Sequence, residues 1–282
     1  MTTGEIRIDA LLPAEMARRA EYLGVRKAEA PALSTLTLAV LAGAFISLGA
    51  VFSTTVAAGA AGTVPYGFVR LAMGVVFSVG LVLVIVGGAE LFTGNNLIVM
   101  AWAGRKVSTR ALLRNWVLVY AGNLVGALAT ALLVFVSRQY TFGGGAVGAL
   151  ALSTASAKVG YGFVQAVALG ILCNALVCLA VWLTYSARST TDKIAAIILP
   201  IAAFVAAGFE HSIANMYFIP IGLLIKNFDP AFAAASGLDL SRLTWSSFLA
   251  ANLLPVTIGN IIGGTLLVAA TYWFVFLRDS EG

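Results

Sequence analysis

The stretch GFEHSIANMYFIP, residues 208–220, places two ionisable side chains next to each other in an otherwise apolar segment. Glu210 is followed directly by His211, the only histidine of the chain. A charged group in the hydrocarbon core of a membrane costs between about 3 and about 17 kcal/mol, so such a residue must be paired, protonated or hydrated. The stretch therefore predicts a specialised site inside a membrane.

The composition of the chain supports a membrane setting. Of the 282 residues, 60% are hydrophobic and only 10% are charged, whereas a soluble domain carries about 25% charged residues. Six long apolar stretches run through the sequence, at residues 33–62, 66–103, 112–137, 159–187, 194–225 and 246–277. Each exceeds the ~20 residues that a spanning helix needs. The sequence thus predicts an all-α integral membrane protein with six transmembrane helices.

The basic residues predict how these helices are oriented. Six spans put both termini on one side, and if that side is cytoplasmic it holds twelve of the 17 Lys and Arg residues. An excess of positive charge is typical of cytoplasmic segments. We therefore expect both termini in the cytoplasm, with a pore domain over residues 31–277 and a short tail over 278–282. Because topology explains the net charge of +5, no nucleic-acid partner is expected.

The N-terminal segment, residues 1–30, is expected to lie on the cytoplasmic face. Its charges alternate with apolar residues, which predicts no signal peptide. Residues 13–29 favour an amphipathic helix, with Met16, Ala20 and Leu23 on one side. Two interpretations remain open for this helix, a solvated lead-in and a part of a gate.

The two halves of the chain repeat one another weakly. Three pairs of segments match in the same order: AVLAG at 39–43 with AVALG at 166–170, GAELFTGN at 88–95 with GFEHSIAN at 208–215, and AGNLVGAL at 121–128 with IGNIIGGT at 258–265. Three spans per copy is an odd number, so the second copy would enter the membrane from the opposite side. The sequence predicts an inverted 3+3 repeat, with halves at about 31–140 and 159–277.

The second apolar stretch of each half, 66–103 or 194–225, is longer than one crossing needs. Each contains a single acid, Glu90 or Glu210, close to glycine residues. We interpret the second and fifth helices as broken near the bilayer centre, an arrangement that marks transport sites. The helices that restart after the breaks would direct their positive N-terminal dipoles there, which favours an anion.

The residues at these breaks suggest several roles. Thr93 and Ser212 are candidate N-caps of the restarted helices. The two glutamates either accept backbone N–H groups left free at the break or contact a substrate. His211, with a reference pKa of about 6.5, can exchange protons at physiological pH.

Metal and cofactor chemistry is not expected. With one histidine and no acidic cluster, the chain lacks the ligands of a metal site, and no cofactor is implied. Cys173 and Cys178 both lie in the fourth apolar stretch, and we interpret them as packing residues rather than as a disulfide or metal pair.

Three segments resemble the formate/nitrite transporter family, and most closely its formate channels: AELFTGN at 89–95, GFEHSIANMYFIPIG at 208–222 and NLLPVTIGNIIGG at 252–264. The resemblance implies an aquaporin-like fold of six spans per protomer and a homopentamer with one pore through each protomer. It also implies the passage of formate or a similar small monovalent anion, coupled to protons under some conditions. The expected location is the lipid bilayer of a bacterial or archaeal cell, in the inner membrane where there are two.

The resemblance also assigns roles to single residues. His211 matches the central pore histidine, Thr93 the threonine that faces it, and Glu210 the acid that precedes it. The apolar residues that narrow the pore correspond to Phe77, Leu81, Phe92 and Phe204. Lys158 matches a basic residue of the outer vestibule that attracts anions. Asn174 and Asn260 match pore asparagines.

Elementary physical chemistry is consistent with these roles. An anion crosses an apolar constriction only at a large cost of desolvation. A weak acid that takes up a proton there becomes a small neutral molecule, and the barrier falls. Glu210 would then either raise the proton affinity of the neighbouring imidazole or orient the loop.

The same residues favour some functions over others. Formate is the expected substrate, while nitrite, acetate, lactate and hydrosulfide remain alternatives. A neutral-solute channel of the aquaporin type would need paired Asn-Pro-Ala signatures, where this chain has Thr-Gly-Asn at 93–95 and Ser-Ile-Ala-Asn at 212–215. An intramembrane hydrolase built on Ser212 and His211 is disfavoured, because adjacent residues do not readily adopt the nucleophile–base geometry. We therefore expect no enzymatic activity.

Overall fold

A computed structural model describes residues 10–278 of the chain, and its regular elements in this range are all helical. Residues 1–9 of the predicted N-terminal segment and 279–282 of the predicted tail lie outside the described residues. Six helices are long and apolar enough to cross a membrane: α2 (Ala32–Ala57), α3 (Tyr66–Gly87), α5 (Thr109–Val136), α7 (Phe163–Ser186), α8 (Thr190–Ala207) and α11 (Ser247–Phe276). The predictions of an all-α membrane protein and of six spans are confirmed.

Shorter helices complete the fold: α1 (Pro13–Glu29), α4 (Val99–Ala103), α6 (Ala146–Val159), α9 (Ser212–Phe228) and α10 (Pro230–Ala235). A turn of 3₁₀ helix, Gly94–Ile98, precedes α4 and another, Gln139–Thr141, precedes α6. The apolar helix α6 was not predicted, because its 14 residues are too few to span a bilayer. It matters for function because it carries Lys158.

The helix α1 covers the residues for which the sequence predicted an amphipathic helix. Its buried side includes Met16, Ala20 and Gly24, and it packs against the α4 segment. The fit is close at Gly24, where an added Cβ would lie 3.1 Å from the Cβ of Ala101. The N-terminal helix is therefore docked on the helical body rather than extended away from it.

The helices α3 and α8 end in the same way. Each is followed by a glycine in the left-handed region, Gly88 with φ 79° and Gly208 with φ 77°. Glycine adopts this conformation without the steric cost that a Cβ imposes. Non-helical residues follow in both places, and helical structure resumes at Gly94 and at Ser212.

The prediction of Ser212 as an N-cap is wrong, whereas Thr93 does occupy the N-cap position of the 3₁₀ turn Gly94–Ile98. The side chain of Thr93 makes no capping hydrogen bond, and Ser212 is already the first residue of α9. The cap of α9 is His211, whose Nδ1 accepts a hydrogen bond of 3.2 Å from the backbone N–H of Ala214. The backbone of His211 is extended (φ −110°, ψ 112°), as is usual for an N-cap residue. Its imidazole accepts the hydrogen bond that a shorter Ser, Thr, Asp or Asn side chain usually accepts at this position.

Spanning helices approach each other closely at small residues. An added Cβ on Gly126 of α5 would lie 1.9 Å from the carbonyl oxygen of Val40 in α2. On Gly259 of α11, it would lie 2.2 Å from the carbonyl oxygen of Val167 in α7. Packing through small residues is the usual way for helices to associate in lipid, and it fixes the pairs α2–α5 and α7–α11.

Candidate functional site

The two non-helical segments meet at His211 and Thr93. His211 Nε2 lies 2.9 Å from Thr93 Oγ1, and both residues are buried. Because Nδ1 of the same ring accepts the Ala214 N–H, the proton of the neutral imidazole lies on Nε2. In this conformation the ring donates to the Thr93 hydroxyl, which leaves the hydroxyl proton of Thr93 available for another acceptor.

Glu210 is held by side chains and not by backbone N–H groups, in contrast to one of the two roles expected from the sequence. Its Oε1 accepts from Lys158 Nζ at 2.6 Å. Its Oε2 accepts from Nδ2 of Asn215 at 2.7 Å and from Nδ2 of Asn252 at 3.2 Å. Asn252 also donates to the backbone carbonyl of Lys158 at 2.8 Å. The buried carboxylate is thus paired with a cation and fully hydrogen-bonded.

Glu90 lies in a closely similar arrangement. Its Oε1 accepts from Lys27 Nζ at 2.7 Å, and its Oε2 accepts from Asn95 Nδ2 at 2.6 Å. Asn115 accepts from Asn95 at 2.9 Å and donates to the backbone carbonyl of Lys27 at 3.0 Å. Lys27 is on α1 and Lys158 is on α6, so each short helix brings one lysine to one glutamate.

Two buried asparagines hold the non-helical segments in place. Asn260 Oδ1 accepts from the N–H of Ser212 at 2.9 Å, and its Nδ2 donates to the carbonyl of Glu210 at 2.9 Å. Asn123 makes the corresponding bonds, accepting from the N–H of Phe92 at 3.0 Å and donating to the carbonyl of Glu90 at 2.9 Å. The amides of both residues are directed at the backbone.

Asn174 lies beside the threonine. Its Nδ2 donates to the carbonyls of Thr93 (3.3 Å) and Asn260 (2.6 Å) and to Oδ1 of Asn96 (2.9 Å). Neither Asn174 nor Asn260 is among the residues that line the two cavities described below. The structure therefore places both predicted pore asparagines around the Thr93–His211 contact as anchors of the chain.

Two cavities lie on different sides of this contact. The first, here the histidine cavity, has a volume of about 70 Å³ and is lined by His211, Lys158, Arg70, Phe77, Phe204 and Phe218 among others. The second, here the N-terminal-helix cavity, has a volume of about 310 Å³ and is lined by Arg19, Lys27, Leu81, Glu90, Leu91 and Lys193 among others. Phe77 and Leu81, one turn apart on α3, line different cavities.

The four predicted constriction residues lie in three different places. Phe77 and Phe204 pack edge to face with ring centroids 5.7 Å apart, and the Phe204 ring lies 5.9 Å from the His211 ring. Leu81 lines the other cavity. Phe92 lines neither, because its ring packs against Tyr120 at 4.9 Å and Trp116 at 6.0 Å.

Several residues of the site were missed by the sequence analysis. Leu91, the neighbour of Phe92, lines the N-terminal-helix cavity together with Leu81. Lys27, Asn115 and Asn252 complete the two glutamate clusters but carry no local motif. Only the pair Asn95 and Asn215 had a signal, since the two stand at matching positions in the repeated segments.

Within residues 10–278, no group of three or more His, Cys, Asp or Glu side chains could hold a metal ion. Cys173 and Cys178 are buried free thiols, and the Cys178 Sγ lies 3.3 Å from the carbonyl oxygen of Thr93. They pack beside the site and do not form a disulfide.

Six helices fit to span a membrane, with two cavities near a buried histidine–threonine contact, are typical of membrane proteins of the channel and transporter class. The sequence profile described as formate/nitrite transporter matches residues 14–274. The chain belongs to this family.

Relatives and solved structures agree with that membership. The chain is 50% identical over 277 residues to the formate channel FocA of Escherichia coli (strain K12), covering 97% of each sequence. It is 40% identical to the formate channel FocA of Haemophilus influenzae, covering 92% of each. Among solved structures, a pentameric formate channel with formate bound matches with a TM-score of 0.81 at 45% identity, covering 88% of this chain and 98% of that one.

Proposed function

We propose that this chain conducts formate, and related small monovalent anions, across a cell membrane. The observation that supports the proposal is the His211–Thr93 contact, which lies near two cavities, one lined by His211 with Phe77 and Phe204 and the other by Leu81 and Leu91. The formate channels among its relatives favour formate over nitrite, acetate, lactate and hydrosulfide. The same relatives support a transport role and not an enzymatic one.

The proposed path runs from one cavity to the other past two apolar constrictions. Phe77 and Phe204 form one on the side of the histidine cavity, and Leu81 with Leu91 forms the other. Between them an anion replaces the water it loses with hydrogen bonds from His211 Nε2–H and from the hydroxyl of Thr93. These two donors lower the desolvation cost that otherwise blocks an anion in an apolar layer.

Proton transfer from His211 requires a second proton on the ring. Neutral imidazole with its proton on Nε2 donates a hydrogen bond but is a very weak acid. A proton passes to the formate oxygen only from the imidazolium, whose N–H bond breaks to leave neutral imidazole and formic acid. Protonation of Nδ1 removes its capacity to accept from Ala214, so proton coupling would open the cap of α9.

The matching clusters support the inverted repeat with broken second and fifth spans. Glu90 and Glu210 have the same partner types in the same order, and Asn123 and Asn260 make the same backbone bonds. The glycines that end α3 and α8 have the same φ to within a few degrees. Because Lys27 on α1 corresponds to Lys158 on α6, we propose that the repeating unit includes these short helices.

The proposed assembly is a homopentamer in lipid with one pore per protomer, by analogy with the solved pentameric channel. The proposed location is a bacterial or archaeal cell (inner) membrane with both termini in the cytoplasm, as the distribution of basic residues indicates. The N-terminal-helix cavity then opens to the cytoplasm and the histidine cavity to the outside.

Uptake into proteoliposomes tests the proposal. Purified protein is reconstituted, and uptake of labelled formate is measured with nitrite, acetate, lactate or hydrosulfide as competitor. We expect saturable formate uptake that the other small anions reduce to different extents. Formate uptake no faster than in protein-free vesicles, with a correctly assembled protein, would contradict the proposal, and stronger competition by another anion would reassign the substrate.

A further inference from the structure

Arg70, on the first turns of α3, reaches across to the end of α8. Its Nε donates to the carbonyl of Ala206 at 3.3 Å, and its Nη2 donates to the carbonyl of Val205. The last carbonyls of a helix lack partners within the helix and form the negative end of its dipole. Arg70 therefore places a positive charge over the carbonyl end of α8.

This guanidinium lies close to the candidate pore site. An added Cβ on Gly208, three residues before His211, would be 3.5 Å from Arg70 Nη2. Arg70 also lines the histidine cavity, together with Lys158 and His211. An anion in this cavity is thus within range of two cations, one from α3 and one from α6.

The two cations differ in how far their charge is compensated. Lys158 Nζ is 2.6 Å from Glu210 Oε1, so the pair carries no net charge, although only its lysine end lines the cavity. Arg70 has only neutral partners, namely the two carbonyls and the sulfur of Met73 at 4.0 Å. Among the ion pairs formed within residues 10–278, none includes Arg70.

The position of Arg70 in the internal repeat is not charged in the other half of the chain, although Lys193, three residues further along α8, lines the other cavity. Counting back twenty residues from Glu90 and from Glu210 gives Arg70 in α3 and Thr190 in α8. The two lysine–glutamate pairs are alike in both halves, whereas this position is charged in only one of them. Of these two cations, Arg70 lines the histidine cavity and Lys193 lines the N-terminal-helix cavity.

We propose that Arg70 supplies the net positive charge that draws a small anion into the histidine cavity. The inference rests on the proposed function and names a residue that the sequence analysis did not. It also reduces the role expected for Lys158 in attracting anions, because the carboxylate of Glu210 largely compensates the charge of the lysine. At the same time Arg70 masks the carbonyl dipoles of α8, which would otherwise repel an anion approaching His211.

The test compares formate uptake by wild type, Arg70→Gln and Arg70→Lys. Glutamine keeps one N–H donor for the carbonyls without the charge, and lysine keeps the charge with a different donor geometry. Arg242→Gln is the matched control, since Arg242 is an exposed cation between α10 and α11 that lines neither cavity. Apparent KM is measured at about 10 mM ionic strength and at about 1 M, set with potassium gluconate, where the Debye length falls from about 30 Å to about 3 Å.

We expect Arg70→Gln to raise apparent KM about 3- to 10-fold at low ionic strength. Coulomb's law gives this range for a unit charge about 6 Å away at an effective dielectric constant between about 80 and 40. At high ionic strength the difference in KM between Arg70→Gln and wild type should shrink to less than about twofold, because salt then screens the charge of Arg70 in wild type. Arg70→Lys and Arg242→Gln should stay within about twofold of wild type at both.

Three results would overturn the inference: an unchanged KM in Arg70→Gln, an equal rise at both ionic strengths, or an Arg70→Lys variant as impaired as Arg70→Gln while assembled. The last two would assign Arg70 to the structure of the α8 end alone. A wild type without formate uptake would instead contradict the proposed function. In that case the formate-dependent rise in Tm of the detergent-solubilised variants still tests the charge, because it does not require transport.

Discussion

Thr93 Oγ1 and His211 Nε2 lie 2.9 Å apart, although 118 positions separate the two residues in the chain. The contact joins the segment that follows α3 to the segment that precedes α9. The other nitrogen of the ring caps α9 by accepting the Ala214 N–H. The same imidazole thus provides the hydrogen-bond donor of the proposed pore and caps the N-terminus of α9.

Substitution of His211 should separate hydrogen bonding from proton transfer. His211→Phe keeps an aromatic ring but provides no donor, so we expect it to abolish proton-coupled formate movement. His211→Asn keeps a donor and an oxygen that can cap α9 but does not titrate. Its remaining flux should lose the pH dependence of wild type. The measurement is formate uptake into proteoliposomes from pH 5 to 8, a range that brackets the reference histidine pKa of ~6.5.

Size-exclusion chromatography provides the assembly control, and Thr93→Ser, which keeps the hydroxyl, provides the functional control. If both His211 variants keep the pH dependence of wild type, the proposal that His211 relays protons is wrong, and the residue serves only as the N-cap of α9.

The two lysine–glutamate pairs should differ in their contribution to stability. The side chains of Lys158 and Glu210 are 13% and 2% exposed, whereas those of Lys27 and Glu90 are 31% and 13% exposed. Removing one partner of a buried pair costs about 3–5 kcal/mol because a buried charge is left without compensation. We expect Lys158→Met to lower the Tm of the detergent-solubilised protein clearly more than Lys27→Met does.

The double variant Lys158→Met with Glu210→Gln removes both charges and should recover most of the lost Tm. Equal losses in the two single variants would show that burial does not set the contribution of these pairs. No recovery in the double variant would show that the lysine acts through packing, for example through its contact with the Phe218 ring, whose centroid is 5.4 Å away.

The sequence is informative about the spans and about where α3 and α8 end because both follow from local rules. The lengths of the apolar stretches predicted the six helices. A single acid beside glycines, in each of two stretches, indicated the non-helical segments that follow α3 and α8. The helix α6 was not predicted, since a mostly apolar segment of 14 residues is too short to span a bilayer and fits a buried or interfacial segment as well as a loop. The pairing of Lys27 with Glu90 spans 63 positions and depends on how α1 docks, which no local pattern contains.

Neighbouring residues show a second limit of sequence reasoning. Leu91 and Phe92 are both apolar and adjacent in a non-helical segment, so either could face a pore. The orientation is set by the Phe92 N–H bond to Asn123 and by the packing of the Phe92 ring on Tyr120 and Trp116. These contacts come from α5, a different spanning helix.

The width of the pore should depend on the two proposed constrictions and not on Phe92. Phe204→Ala combined with Leu81→Ala removes one large side chain from each cavity wall, so we expect faster uptake of acetate and lactate relative to formate. Phe92→Leu, which keeps an apolar side chain away from both cavities, is the control and should leave the ratios as in wild type. The measurement is the relative uptake of the three anions into proteoliposomes. An unchanged size cut-off in the double variant, or a widened one in Phe92→Leu, would contradict the assignment.

The two asparagines that hold the non-helical segments after α3 and α8 should contribute equally to stability if the two halves repeat. Asn123→Ala frees the Phe92 N–H and the Glu90 carbonyl, and Asn260→Ala frees the Ser212 N–H and the Glu210 carbonyl. Each unsatisfied buried polar group costs about 1–3 kcal/mol. We expect both variants to lower Tm by several degrees and by similar amounts, while Gln139→Ala, which removes an exposed amide bonded to Thr55, leaves Tm unchanged. Formate uptake should separate the two variants, because Asn260 anchors the residue next to His211 and its loss alters the pH profile, whereas loss of Asn123 displaces Phe92 and Thr93. A fall in Tm confined to one variant would argue against a repeated anchoring role.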